Sequence, residues 1–316
     1  MQIAFFVVAP VIAVIVLGYG AARRGIFSDD NVTTLNRFVF VIAAPALLFR
    51  NVTLTEFPET LSIGLWLAYY GPMLAIMVLA CLLARFLFRG RAPSHYIIFG
   101  FSAGFSNTVM LGIPIILTAF GPAAGLPLFL ILAFHGLLVF TVALICLEAT
   151  SNADLRLADL PPKLLGAMRE QIVVMALAAG VIWNFTGLGL AVPIDRFLAL
   201  LGSAAIPVAL MAVGGRLAFI KIGDNLTPAL FIGLFKLLLM PVAVYLAAHY
   251  LFALKPLYVA TLTLLSAMPT GVFAAVFAAQ YQTAEAEASS AITVTTVLSA
   301  LTVSLWLGFF GPLLEF

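Results

Sequence analysis

Charge is the scarcest property of this sequence. Only 9% of its 316 residues are Asp, Glu, Lys or Arg, whereas 64% are apolar. A soluble domain carries roughly 25% charged residues, and its exterior depends on them, so the composition excludes an ordinary soluble enzyme. A net charge of +2 gives no reason to expect nucleic acid as a partner. What remains is an all-α polytopic membrane protein, because a bilayer-spanning helix needs roughly 20 apolar residues.

Groups that carry chemistry are equally few. Both cysteines, Cys81 and Cys146, lie in apolar runs and are interpreted as buried packing residues. The histidines and acidic residues show no metal-ligand spacing, and no GxxxxGK[ST] motif occurs. We therefore expect no enzyme activity, no cofactor and no metal, and lipid as the surroundings.

Ten apolar segments are separated by short polar breaks. Ser28 to Asn31 resembles a helix N-cap with a negative first turn. The N-terminal run has no basic residues before it and is too long for a signal-peptide core, so it is interpreted as a retained first span. The predicted spans are roughly 3–22, 31–50, 62–87, 96–119, 124–148, 171–190, 195–219, 228–252, 257–280 and 290–312.

Lysine and arginine predict the orientation. With both termini outside, ten basic residues fall on the inner side and three on the outer side. The outer three are Arg50, Arg196 and Lys255; the inner ten are Arg23, Arg24, Arg85, Arg89, Arg91, Arg156, Lys163, Arg169, Arg216 and Lys221. The sequence therefore predicts a multi-pass protein with its N-terminus and C-terminus outside.

The longest break lies near the middle of the chain. It divides a first five-helix repeat, 1–148, from a second, 171–316, through a cytoplasmic linker at 149–170. An odd number of helices per half requires opposite orientations, hence an inverted repeat. Span two contains Asn36-Arg37-Phe38 and span seven contains Asp195-Arg196-Phe197, each followed by a proline. The fourth helix of each half also carries a proline within the span.

These two prolines, Pro114 in span four and Pro269 in span nine, predict broken helices. An interior proline removes a backbone donor and frees a carbonyl, which in lipid must be buried by protein or line a cavity. Two such breaks at matching places commonly cross near the bilayer centre and present helix N-termini to an anion. A simple packing kink is the alternative for either proline.

The candidate substrate site consists of the polar and small residues around these breaks, together with two ionisable residues in neighbouring spans. No Asp or Glu falls near the centre of a span. His135 is either an interhelical hydrogen-bonding residue or a ligand or proton carrier. Lys236 either extends its amine to the membrane surface or belongs to an anion path. The candidates are Asn107, Thr108, Gly112, Pro114, Met268, Pro269, Thr270, Gly271, His135 and Lys236.

Several of these motifs resemble the auxin efflux carrier family. Ser106-Asn107-Thr108 with Gly112-Ile113-Pro114, Ala267 to Thr270 with Gln280-Tyr281, Pro207 to Leu217, and Lys236 to Pro241 carry the resemblance. Their order covers essentially the whole chain. The central break of only about 20 residues is similar to the bacterial malonate or malate permease branch rather than to the plant carriers.

The resemblance implies a fold related to the bile acid/sodium symporters, with spans four and nine crossed. Spans 1, 2, 6 and 7 would form a scaffold, and spans 3–5 and 8–10 a transport domain that moves as an elevator. It also implies a homodimer through the scaffold, location in the bacterial inner membrane, and Asn107 with the segments at Pro114 and Pro269 as the substrate site.

The expected function is secondary active transport of a small organic anion such as malonate or malate. The coupling ion is left open between H+ and Na+. The alternatives are a membrane receptor or sensor for a small organic acid and an auxin-like monocarboxylate efflux carrier.

Overall fold

The computed structural model describes residues 2–55, 62–150, 172–219 and 225–311. Within them the chain is all-helical, without strands, and we number its helices α1 to α12. They are α1 Gln2–Arg23, α2 Asp29–Thr53, α3 Gly64–Leu87, α4 Pro93–Gly104, α5 Thr108–Phe120, α6 Pro122–Glu148, α7 Ile172–Phe185, α8 Val192–Phe219, α9 Leu226–Leu251, α10 Pro256–Ser266, α11 Phe273–Gln280 and α12 Glu285–Phe310. Most of the predicted linker, and Lys221, lie outside the described residues.

Six of the helices are long and apolar enough to cross a membrane: α2, α3, α6, α8, α9 and α12. Large apolar side chains such as Leu17, Phe86 and Leu305 remain more than 60% exposed on helix surfaces. In water such exposure would be unfavourable, whereas lipid accommodates it. The prediction of an all-α membrane protein is confirmed at this level.

The start of α2 shows how local sequence sets a helix end. The Ser28 hydroxyl accepts a hydrogen bond from the Asn31 N–H at 3.2 Å, and the Asn31 side chain accepts one from the Ser28 N–H at 2.9 Å. Asp29 and Asp30 occupy the first turn, where the positive end of the helix dipole favours them. The N-cap predicted from Ser28 to Asn31 is confirmed.

The helices pack in two groups. In the first, α1 packs along α8, while α2 packs against α7 and α8. Gly18 and Gly214 permit the closest approach, because each lies against a backbone carbonyl of the opposite helix, that of Met211 and that of Ile15. In the second group, α3 packs on α4 and α9 on α12, with α5, α6, α10 and α11 between them.

Candidate functional site

The predicted fourth span consists of two helices. Helix α4 ends at Gly104 and α5 begins at Thr108, so the interruption is the segment 105–107. Pro114 lies inside α5, where the π-helical turn Thr108–Gly112 precedes it. Such a turn bonds residues five apart and widens the helix, which accommodates the proline ring without a break. The interpretation that Pro114 itself breaks the span is therefore wrong.

The predicted ninth span is interrupted at its proline. Helix α10 ends at Ser266 and α11 begins at Phe273, with Pro269 in the segment between them. No regular α-helical bonding passes through Pro269, as its missing N–H requires. The sequence located this interruption correctly.

The two interruptions, 105–107 and 267–272, are hydrogen-bonded to each other, and we call this contact the crossing. The Asn107 N–H donates to the Pro269 carbonyl at 2.8 Å, and the Gly271 N–H donates to the Phe105 carbonyl at 2.9 Å. Ser106 and Thr270 thereby form an isolated antiparallel bridge. Each interruption thus supplies hydrogen-bond partners for backbone groups of the other that have none within their own helix, as a low-dielectric interior demands.

Small side chains make this approach possible. A Cβ at Gly271 would meet the ring of Phe105, and a Cβ at Gly112 would meet Leu265, with Met268 close by. Thr270 is held on two sides: its hydroxyl donates to the Ser102 carbonyl at 2.9 Å and its N–H to the Thr295 hydroxyl at 3.1 Å. The main role of Thr270 is therefore to hold the crossing together through these hydrogen bonds.

Asn107 keeps a free donor at the crossing. Its Oδ1 accepts from the Met110 N–H at 3.3 Å and so caps the start of α5. Within the described part of the chain its Nδ2 makes no hydrogen bond, while the residue is 9% exposed. An amide donor next to a helix N-terminus is suited to an anionic oxygen. Thr108 follows Asn107 directly and is also buried.

Lys236 lies beside the second interruption. It is fully buried, and its Nζ donates to the Ser266 carbonyl at 2.6 Å and approaches the Met240 sulfur at 3.3 Å. Ser266 is the last residue of α10, so the Lys236 amine lies at the negative end of that helix. Lys236 therefore does not extend to the membrane surface, and it places its amine next to the crossing.

His135 lies beside the first interruption. Its ring stacks on Phe105 at 5.2 Å between centroids and an 11° interplanar angle, and Tyr69 and Tyr70 flank it. The residue is 2% exposed, and neither ring nitrogen has a hydrogen-bond partner among the described residues. The structure thus places His135 at the crossing. It does not show the interhelical hydrogen bond that was one of the alternatives for this residue in the sequence analysis.

Other groups at the crossing were missed by sequence reasoning. The hydroxyls of Tyr69, Ser102 and Ser106 are buried without a hydrogen bond in the described part of the chain. The spacing of Ser102 and Ser106, one helical turn apart, was the available signal. Polar atoms buried without partners are costly, so these hydroxyls mark a place that can take a polar ligand.

The helix ends that the charge pattern predicts to face inward carry two further contacts. Glu287, in the first turn of α12, is buried and lies 3.4 Å from the Nε2 of His95. The Tyr281 hydroxyl donates to the Glu148 carboxylate at 2.9 Å. Burial and this carboxylate raise the pKa of the Tyr281 hydroxyl above its usual range. Tyr281 therefore stays protonated and joins α6 to the end of α11.

Two hydrogen-bonded helix interruptions with a buried lysine beside one of them are features expected of a membrane transport protein. Residues 3–157 and 172–307 match the family described as membrane transport protein. The chain belongs to this family, which is that of the auxin efflux carriers.

Individual relatives agree with this assignment. A protein of Rhizobium meliloti (strain 1021) named "Putative malonate transporter" is 30% identical over 94% of this chain and 92% of its own length. An Escherichia coli (strain K12) protein named "Uncharacterized transporter YfdV" is 23% identical over 97% of this chain and 98% of its own. Auxin efflux carrier component 3 of Arabidopsis thaliana is 28% identical over 45% of this chain and 22% of its own length.

In the described residues no three His, Cys, Asp or Glu side chains converge as a metal site would require. Ligand binding at the crossing therefore has to be considered in terms of amide, hydroxyl, imidazole and ammonium groups.

Proposed function

We propose that this protein is a secondary active transporter of small organic anions, with malonate and malate as the candidate substrates. The observation that carries the proposal is Lys236, a buried lysine of α9. Its amine lies at the end of α10, beside a crossing that also offers the free Nδ2 of Asn107. No described acidic side chain lies at the crossing. A dianion can interact there with a positive charge, an amide donor and the start of α5. The name of the rhizobial relative supports the choice of malonate.

The two packing groups support a division of labour. In this proposal α1, α2, α7 and α8 form the scaffold of a homodimer in the bacterial inner membrane. The remaining helices form a transport domain that carries the crossing across the membrane as an elevator. The ten-span inverted repeat belongs to the same proposal: α4 with α5, and α10 with α11, each count as one broken span. The coupling ion is H+ or Na+.

The first test is uptake of labelled malonate and malate by proteoliposomes that contain the purified protein, with Na+ and pH gradients imposed separately. Asn107→Ala removes the free amide, so we expect uptake to fall at least about tenfold, the effect of losing one hydrogen bond to a charged group. The matched control is Asn31→Ala, which also removes a helix cap but at the exposed start of α2. Equal uptake by the two variants would contradict the site assignment.

The alternative function is efflux of an auxin-like monocarboxylate, which the match to the plant carriers favours. The same proteoliposomes decide between the substrates: indole-3-acetate should compete weakly with malonate if the site is built for a dianion. Stronger competition by indole-3-acetate would favour the alternative. Saturable binding of malonate without any flux would indicate a receptor.

A further inference from the structure

Two reciprocal ion pairs connect α2 and α8. Arg50, near the end of α2, binds Asp195 in the first turn of α8 through Nε at 2.7 Å and Nη2 at 3.3 Å. Arg216, near the end of α8, binds Asp29 at the start of α2 at 2.7 Å. Asp195 follows Asp29, and Arg216 follows Arg50, by the same 166 residues. The pairs therefore favour a different repeat register from the match between Asn36 and Asp195 considered above.

The two arginines differ in what surrounds them. Arg50 lines a cavity of about 620 Å³ between the end of α2 and the start of α6, whereas Arg216 is not among the described residues that line this cavity. Polar side chains of Asn51 and Thr55 share the cavity wall, and Arg50 is its only charged residue in the described part of the chain. The volume is within the range of small-ligand sites.

Arg50 is not required to complete its own helix. The carbonyls at the end of α2 accept hydrogen bonds from the Asn184 amide, at 2.8 Å for Thr53 and Thr55 and 3.3 Å for Val52. The Arg50–Asp195 pair is itself about 30% exposed at both side chains. An exchange of partners at such an exposed pair costs little, so the guanidinium can turn to another carboxylate.

A second positive feature faces the same cavity. Helix α6 begins at Pro122 after a turn at Gly121, and no side chain caps this start. Pro122, Ala123 and Gly125, in its first turn, line the cavity. The positive end of a helix of 27 residues thus lies across the cavity from Arg50, and both features attract an anion.

We propose that this cavity is an entry site for small carboxylates, in which Arg50 exchanges the Asp195 carboxylate for a carboxylate of the substrate. The site takes mono- or dicarboxylates through one bidentate carboxylate–guanidinium contact. It lies at the junction of the two packing groups, and the charge pattern of the sequence predicts that it opens to the outer side. The assignment of substrate rests on the proposed function; Asp195 acts as an internal competitor.

The test is equilibrium binding of labelled malonate to purified full-length protein in detergent, together with the KM for uptake by proteoliposomes. Arg50→Gln should weaken binding at least tenfold, and Arg50→Lys should restore part of it. Asp195→Asn should tighten binding about threefold or more, because it releases Arg50 from its internal partner. Arg216→Gln and Asp29→Asn break the reciprocal pair away from the cavity and should change binding less than twofold.

Opposite effects of Arg50→Gln and Asp195→Asn are the signature of an exchange. If the ion pair only holds α2 to α8, Arg50→Gln and Asp195→Asn should change malonate binding in the same direction, and by as little as Arg216→Gln does. That result would overturn the entry site, whereas malonate transport by the wild type would still support the proposed function. Conversely, Arg50-dependent binding without uptake by the wild type would contradict the proposed function and retain the site. Thermal melting of each variant checks that it is folded.

Discussion

The surroundings of His135 stabilise its ring by stacking but offer its two nitrogens no hydrogen-bond partner among the described residues. It stacks on Phe105, while both nitrogens are buried without a hydrogen bond to described residues. His135→Phe keeps the stacking and removes two unsatisfied atoms, each of which costs about 1–3 kcal/mol. We expect the variant to melt at or above the wild-type temperature while malonate uptake falls at least tenfold, because the proposed substrate site uses these nitrogens.

His249 supplies the control for this prediction. It stacks on Tyr245 at 5.5 Å and 6°, is exposed, and lies at the end of α9. His249→Phe preserves the stacking and should leave both melting and uptake unchanged. A His135→Phe protein with full uptake would show that His135 only packs, and a lower melting temperature would show that its nitrogens have a partner.

The sequence could identify candidate site residues where a residue type is unusual for its surroundings. A lysine in the middle of an apolar run was recognisable as a candidate, and the structure places Lys236 at the crossing. Glu287 precedes the predicted tenth span, in a polar break, yet it is buried against His95, because the burial of a helix end depends on which helices pack there. Sequence reasoning missed the free hydroxyls of Ser102 and Ser106 for the same reason.

Among the elements, the two broken spans show what a proline can predict. Pro269 lies in its interruption because no helical bond can form at its nitrogen. Pro114 does not, because the π-helical turn before it absorbs the ring, and the interruption falls at 105–107 instead. That position depends on the hydrogen bonds which Phe105 and Asn107 exchange with Pro269 and Gly271. Such long-range pairing leaves no trace in a local pattern.

Helix α1 offers a prediction about close packing between elements. A Cβ at Gly18 would collide with the Met211 carbonyl of α8, whereas one at Gly20 would meet nothing within 4 Å. Gly18→Ala must push the helices apart, so we expect it to lower the free energy of unfolding by about 1–3 kcal/mol. Gly20→Ala, in the same helix, should be neutral or slightly stabilising. Melting in detergent measures both, and equal melting temperatures would contradict the close contact of α1 and α8.

At the scale of the whole molecule, composition predicts that the chain lies in a membrane, and the distribution of Lys and Arg predicts which side each loop faces. Ala92, between α3 and α4, is predicted to face inward, and Thr186, after α7, to face outward; both are exposed. In a protein without native cysteines (Cys81→Ala, Cys146→Ala), Thr186→Cys should react with an impermeant maleimide in intact cells. Ala92→Cys should react only after permeabilisation.

This labelling also tests how the broken helices are counted. Between the two positions the described residues form α4, α5, α6 and α7. If these four helices account for every passage through the membrane, the positions face opposite sides only when α4 and α5 together span it once. If each of them crossed the membrane separately, the number of crossings would be even and both cysteines would react from the same side. Labelling of both in intact cells would therefore contradict the broken span, whereas the reverse pattern would contradict only the orientation. The outcome further fixes the side to which the Arg50 cavity opens, because Asn184, two residues from the labelled position, binds the helix end that lines it.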